Sequence, residues 1–161
     1  MDAIILFSHG SVLCGAGQNL FELAMRMRER GDAPIIEVGF LNYSEPDFDT
    51  AVARCIAQGA DHITIAPYFL VAGKFVTVDL PKRIEAARHH HPSVQFVVAE
   101  AMRFHPRLAD ALLSVAAHSR EPGSWRDTDA QAAQFCRDIP QCPRYGTDAC
   151  PATRARHEVA A

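Results

Sequence analysis

Four successive strand-then-helix units predict an α/β domain: a doubly wound, four-stranded parallel sheet with helices on both faces. Three observations carry that expectation. The run "AIILFSHGS" near the start is continuously apolar until its small-residue turn, as a parallel strand covered on both faces requires. The same pattern, an apolar run followed by a helical period, recurs three more times. Beyond residue 119 the pattern stops, and Pro, Ala and charged residues follow with no sustained period.

The first strand closes in Ser8-His9-Gly10-Ser11, and a helix is expected from Asn19 to Arg30. Within it Leu20, Leu23, Ala24 and Met27 recur on one face, Glu22 stands one turn from Arg26, and Gly31 ends the segment. The methionines there read as core filling. "PIIEVGFL" is the second strand, with a helix from about Asp47 to Gln58. "HITIAPYFL" is the third, with a helix from about Val78 to His90 that has Thr77 as its cap and Asp79 in its first turn. "VQFVVAE" is the fourth, with a helix from about Pro106 to His118. Residues 1–119 therefore form the α/β domain, and residues 120–161 a Cys-containing C-terminal extension, partly disordered by composition.

Composition excludes several classes of function. A formal net charge of −3 argues against a nucleic-acid partner, because a phosphate-backbone binder concentrates Lys and Arg. No apolar run approaches the length of a membrane span, and the first residues lack a basic segment ahead of their short apolar run, so a cytoplasmic protein is expected. Five cysteines do not pair evenly, which favours thiols or metal binding over a disulfide framework. "HGSVLCGAGQN" lacks the third glycine of a dinucleotide fingerprint, and "AGKFV" is too short for a phosphate loop. His89-His90-His91 closes the third helix, where partly positive side chains suit the helix dipole.

In open parallel sheets the ligand crevice lies beyond the C-terminal ends of the strands. That rule selects Ser8 to Ser11, Asn42 to Glu45, Gly73 to Thr77 and Arg103 to His105. His9 has the chemistry of a metal ligand or proton acceptor, since imidazole binds first-row metals and titrates near neutrality. Glu45 either stabilises the second helix's N-terminal end or takes part in the chemistry. Lys74 and Arg103 carry fixed charge suited to substrate carboxylates. In the extension, Cys136, Cys142 and Cys150 form C-x5-C-x7-C, looser than the compact pairs of zinc and cluster sites, and three thiolates leave a four-coordinate site one ligand short.

"ILFSHGS", "EVGFLNYSEPDF", "ITIAPYFLVAGKFVTVDLP" and "EAMRFHPRL", in order and at compatible spacing, resemble the small sirohydrochlorin cobaltochelatases and ferrochelatases of cobalamin and sirohaem biosynthesis. The resemblance covers about residues 3 to 118. It implies a chelatase-like fold, often as a homodimer, that inserts a divalent metal (cobalt, iron or nickel) into a tetrapyrrole. His9 matches the family's first metal-binding histidine, and the resemblance implies His9 and Glu45 as catalytic residues. Ser11, Lys74, Phe75 and Arg103 are then expected to meet substrate. Phe75 stands where the family commonly has a second histidine, and His105 is the candidate to compensate as a metal ligand. Some members carry a C-terminal iron–sulfur or metal-binding segment, which makes the three cysteines a candidate cluster or zinc site. A second reading is a catalytically weak relative that binds or delivers a tetrapyrrole or metal, with Phe75 stacking on the macrocycle.

Overall fold

The computed structural model describes residues 1–11, 17–103, 105–118, 146–147 and 150. The chain forms two compact units, one of Met1–Gly10 with Asn19–His105 and one of Ser11–Gln18 with Pro106–Ala161. The first unit contains β1 (Asp2–Ser8), α1 (Gln18–Arg30, from Asn19 on), β2 (Ile35–Phe40), α2 (Phe48–Ala57), β3 (His62–Pro67), α3 (Leu80–His90) and β4 (Gln95–Val98). The second contains α4 (Arg107–Ala117), which the sequence groups with the α/β domain.

The strands pair in the order β2-β1-β3-β4, all parallel. In β1 the consecutive residues Ile5, Leu6 and Phe7 are all buried, as their unbroken apolar run requires. Strand β3 alternates instead, burying Ile63, Ile65 and Pro67 and leaving Thr64 and Ala66 half-covered. On one face α1 sets Leu20 and Ala24 against Leu6, Ile36, Val38 and Phe40. On the other, α2 and α3 set Phe48, Ala51, Val52, Cys55, Leu80 and Ile84 against Ala3, Ile5, Phe7, Ile63 and Ile65. The chain steps one way from β1 to β2 and the other way from β2 through β3 to β4. Crossovers of a single hand then require α1 on one face and its successors on the other, which is the observed arrangement.

Helix boundaries follow local chemistry. Asp47 caps α2 by accepting a hydrogen bond from the Thr50 N–H at 2.8 Å, so the helix proper starts at Phe48. This bond and the nearby Arg83 hold the Asp47 carboxyl below its ordinary value. A carboxylate whose pKa is depressed on folding stabilises the fold above its unfolded pKa, and the benefit is lost as pH falls through the lower folded value. Asp47→Ala is therefore expected to lower urea stability at pH 7 by about 1 kcal/mol. Below about pH 4, where the unfolded carboxyl protonates, the gap between the two proteins should narrow.

Helical backbone ahead of α3 begins earlier than the sequence suggests, at Lys74, and its first turn is widened. Residues Phe75–Asp79 form one π-helical turn, and α3 begins at Leu80. Thr77 does not cap it: its hydroxyl donates to the Gly73 carbonyl at 3.1 Å. Asp79 makes no capping bond either, because its carboxylate faces Lys74. In α1, Met27 packs on the core as expected, but Met25 points outward and is half exposed.

Cys55 is wholly enclosed, and burial, helped by the charge of Glu37, pushes its thiol up to about 12. Its thiolate fraction at pH 8 falls about 10³-fold below that of an ordinary thiol. Iodoacetamide mapping is expected to leave the Cys55 peptide unmodified in the native protein and to modify it once urea unfolds the chain.

Candidate active site

Strands β1 and β3 lie side by side, yet the chain leaves them for helices on opposite faces of the sheet. A crevice opens at such a reversal. The residues following these two strands carry His9 and Phe75, and their rings meet with centroids 4.3 Å apart and planes inclined by 46°. The loop after β2 adds Tyr43, T-shaped to His9 at 5.9 Å. Sequence reasoning chose these three loops but did not single out Tyr43. Its backbone lies in the left-handed region at φ 60°, uncommon for a bulky residue and frequent at functional sites. An aromatic residue in a loop at a strand end was the available signal.

The backbone beneath His9 is closely constrained. The β1–β2 ladder continues past both strands, with Leu41 N–H donating to Ser8 O and Asn42 N–H to His9 O, each at 2.9 Å. Gly10 follows at φ +83°, and a Cβ there would lie 1.9 Å from the Asn42 carbonyl oxygen. His9 Nδ1 lies 3.0 Å from the Gly10 carbonyl oxygen. A carbonyl only accepts, so Nδ1 carries the hydrogen, and in the neutral ring Nε2 is the nitrogen with the lone pair. A neutral imidazole in this tautomer is a ready metal ligand or proton acceptor.

The rings behind Phe75 lead into the core. Phe75 neighbours Phe69 at 6.5 Å, Phe69 neighbours Phe7 at 6.3 Å, and Phe7 meets Phe48 edge-on at 5.6 Å. Phe7 and Phe48 are fully buried, whereas Phe75, Tyr43, Tyr68, Leu70 and Val71 are exposed. The sheet's C-terminal edge thus combines one oriented imidazole with an apolar, aromatic rim.

The family model described as CbiX matches residues 3–119. The chain belongs to the CbiX family. Among curated relatives it is 38% identical over 91 residues to the sirohydrochlorin cobaltochelatase of Methanocaldococcus jannaschii, an alignment covering 56% of this chain and 64% of that protein. It is 29% identical over 113 residues to the sirohydrochlorin ferrochelatase of Priestia megaterium, covering 70% of this chain and 42% of the relative. These alignments span less than two thirds of either relative. Among solved structures, a CbiX protein of Marinobacter aquaeolei, described as a putative cobalamin biosynthesis protein, superposes with a TM-score of 0.63 at 30% identity, covering 73% of this chain and 96% of that one. The sirohydrochlorin chelatase SirB of Bacillus subtilis subspecies spizizenii, solved with cobalt, superposes at 0.68 with 25% identity, covering 86% and 63%. The four-stranded parallel sheet is thus the CbiX chelatase fold.

The other residues expected at this CbiX site are placed as follows. Glu45 is exposed, and its Oε2 accepts from the Asp47 N–H at 3.1 Å, so it supports the entry to α2. Lys74 reaches both carboxylate oxygens of Asp79 at 2.9 Å, and a substrate carboxylate would have to compete with that partner. Arg103 has φ 36° and its Nε lies 4.0 Å from Glu100. His105 is exposed, with its backbone N–H donating to Met102 O. Ser11 follows Gly10 in the chain and opens the second unit. Among the described residues, no three His, Cys, Asp or Glu side chains converge to hold a metal ion, so the geometry assembles no ligand set around His9 and His105. Cys136 and Cys142 lie outside the described residues; Cys150 is a buried thiol. Among the described residues no helix is long and apolar enough to cross a membrane.

Proposed function

We propose that this chain inserts a divalent metal, cobalt, iron or nickel, into a sirohydrochlorin-like tetrapyrrole, as a tetrapyrrole chelatase (a lyase) of cobalamin or sirohaem biosynthesis. The observation that carries the proposal is the His9 imidazole, tied through Nδ1 and presenting Nε2 beside an aromatic rim at the sheet's reversal point. The names of its cobaltochelatase and ferrochelatase relatives support it.

Insertion exchanges two pyrrole N–H protons for one divalent ion. The Nε2 lone pair of His9 holds the incoming ion by one bond while the macrocycle nitrogens displace its water. Glu45, exposed near the entry to α2, is the carboxylate suited to accept the departing protons one at a time and release each to solvent. The exposed rings of Tyr43 and Tyr68 suit the flat apolar face of the macrocycle. Lys74 and Arg103 suit its peripheral carboxylates. A homodimer belongs to the same reading, because the aligned part of the chain covers 42% of the P. megaterium relative and a second copy would supply a comparable remainder.

The test is anaerobic mixing of the protein with sirohydrochlorin and Co²⁺, Fe²⁺ or Ni²⁺, following loss of the free macrocycle's absorbance. Metallation well above the uncatalysed rate with at least one of the metals is expected. Binding of the tetrapyrrole without acceleration would overturn the enzyme and leave a carrier.

A further inference from the structure

We propose that Phe75 is a positioning residue that fixes the His9 imidazole so that a single nitrogen, Nε2, meets the metal, making the site one of transit rather than residence. The proposal rests on the reading that metal meets His9, and it adds a role for a residue that can neither ligate nor titrate.

One hydrogen bond, from Nδ1 to the carbonyl of the next residue, sets the tautomer. It does not by itself prevent rotation about the side-chain bonds, because the acceptor sits on the same short stretch of backbone. The second restraint is the Phe75 ring, whose centroid lies 4.3 Å from the imidazole's, with Tyr43 meeting the imidazole from another direction.

Phe75 is itself held. Through Phe69 and Phe7 it is continuous with the fully buried Phe48. It opens the π-helical turn, where the Lys74–Asp79 ion pair spans five residues, the same interval as the turn's own Leu80 N–H to Phe75 O bond. The turn is therefore bonded at backbone and side chain alike, and the phenyl ring leaves it from a helical backbone.

The chemical consequence comes from what phenyl lacks. A second imidazole at this place would convert a one-bond hold into a chelate, and the ion would leave more slowly. A phenyl ring orients the first imidazole and adds no bond that must be broken when the macrocycle takes the ion.

Three variants of the 161-residue chain test this: Phe75→Ala, Phe75→Leu and Phe75→His. Phe75 is 37% exposed, so truncation opens no closed core cavity, and the leucine variant retains apolar bulk. At pH 8.5, above the ordinary imidazole range, long-range ¹H–¹⁵N correlation of His9 should show one tautomer in the parent and averaged tautomers in Phe75→Ala, with Phe75→Leu between them. Co²⁺ titration without tetrapyrrole should give about 10-fold or greater tightening in Phe75→His. In the insertion assay Phe75→Ala should lower kcat about 10- to 10²-fold with little change in KM. A rise in KM alone would make Phe75 a contact for the macrocycle and overturn the positioning role. An unchanged His9 tautomer signature in Phe75→Ala would overturn it too, even in a protein that metallates nothing, because that readout and the Co²⁺ titration need no turnover.

Discussion

His9→Ala is expected to slow metal insertion by about 10²- to 10⁴-fold, the range typical for losing a positioned acid–base or ligand group, while the fold survives. The imidazole is only half-buried, and among the described residues its hydrogen bond goes to the neighbouring residue's carbonyl. Its removal leaves the β1–β2 bonds through Ser8 O and His9 O in place, because these belong to the backbone. Circular dichroism and thermal midpoint should therefore stay close to the parent, and tetrapyrrole binding by fluorescence quenching should persist. Those three controls assign the lost rate to chemistry. A His9→Ala protein that inserts metal at the parental rate would remove His9 from the mechanism.

Gly10→Ala is expected to damage both stability and rate, although it adds one methyl group. The backbone at φ +83° lies where an L-residue pays a steric penalty of about 1–2 kcal/mol. The new Cβ would also fall 1.9 Å from the Asn42 carbonyl oxygen, so one loop must move. Overpacking of this kind costs roughly a further 1–3 kcal/mol, giving a combined loss of about 2–5 kcal/mol by urea unfolding. Moving the Asn42 loop also shifts Tyr43, and any adjustment at Gly10 itself shifts the carbonyl that orients His9 Nδ1, so insertion should slow beyond what the unfolded fraction explains. Parental stability in Gly10→Ala would show that the two loops separate freely.

Much of the fold was legible because its signals are periodic. The buried run Ile5 to Phe7 in β1, the four-residue spacing of buried Leu20 and Ala24 in α1 and the Asp47 cap each follow from side-chain types at fixed intervals, while Leu23, expected on the same face of α1, is exposed. The site was legible in outline because the ends of parallel strands are where ligands bind, and this rule led to His9 and to the turn bearing Phe75. What escaped was set by geometry between distant loops. Nothing local in "AGKFVTVDLP" announces one widened helical turn, or that Lys74 pairs with Asp79 across it. Nor does "NYSEP" show that Tyr43 adopts a left-handed backbone and meets His9. The meeting of His9 with Tyr43 and Phe75 depends on β1 lying between β2 and β3, which a linear pattern does not contain.

The β1–β2 ladder outlasts its strands, running on through Leu41 N–H to Ser8 O and Asn42 N–H to His9 O. In the time domain this makes two amide protons into clocks for the site. Each exchanges with solvent only when that end of the sheet opens, so their protection measures how often His9 loses its seat. Leu41 and Asn42 should exchange at a common rate, as one cooperative opening, and a bound macrocycle that grips His9 should slow both together.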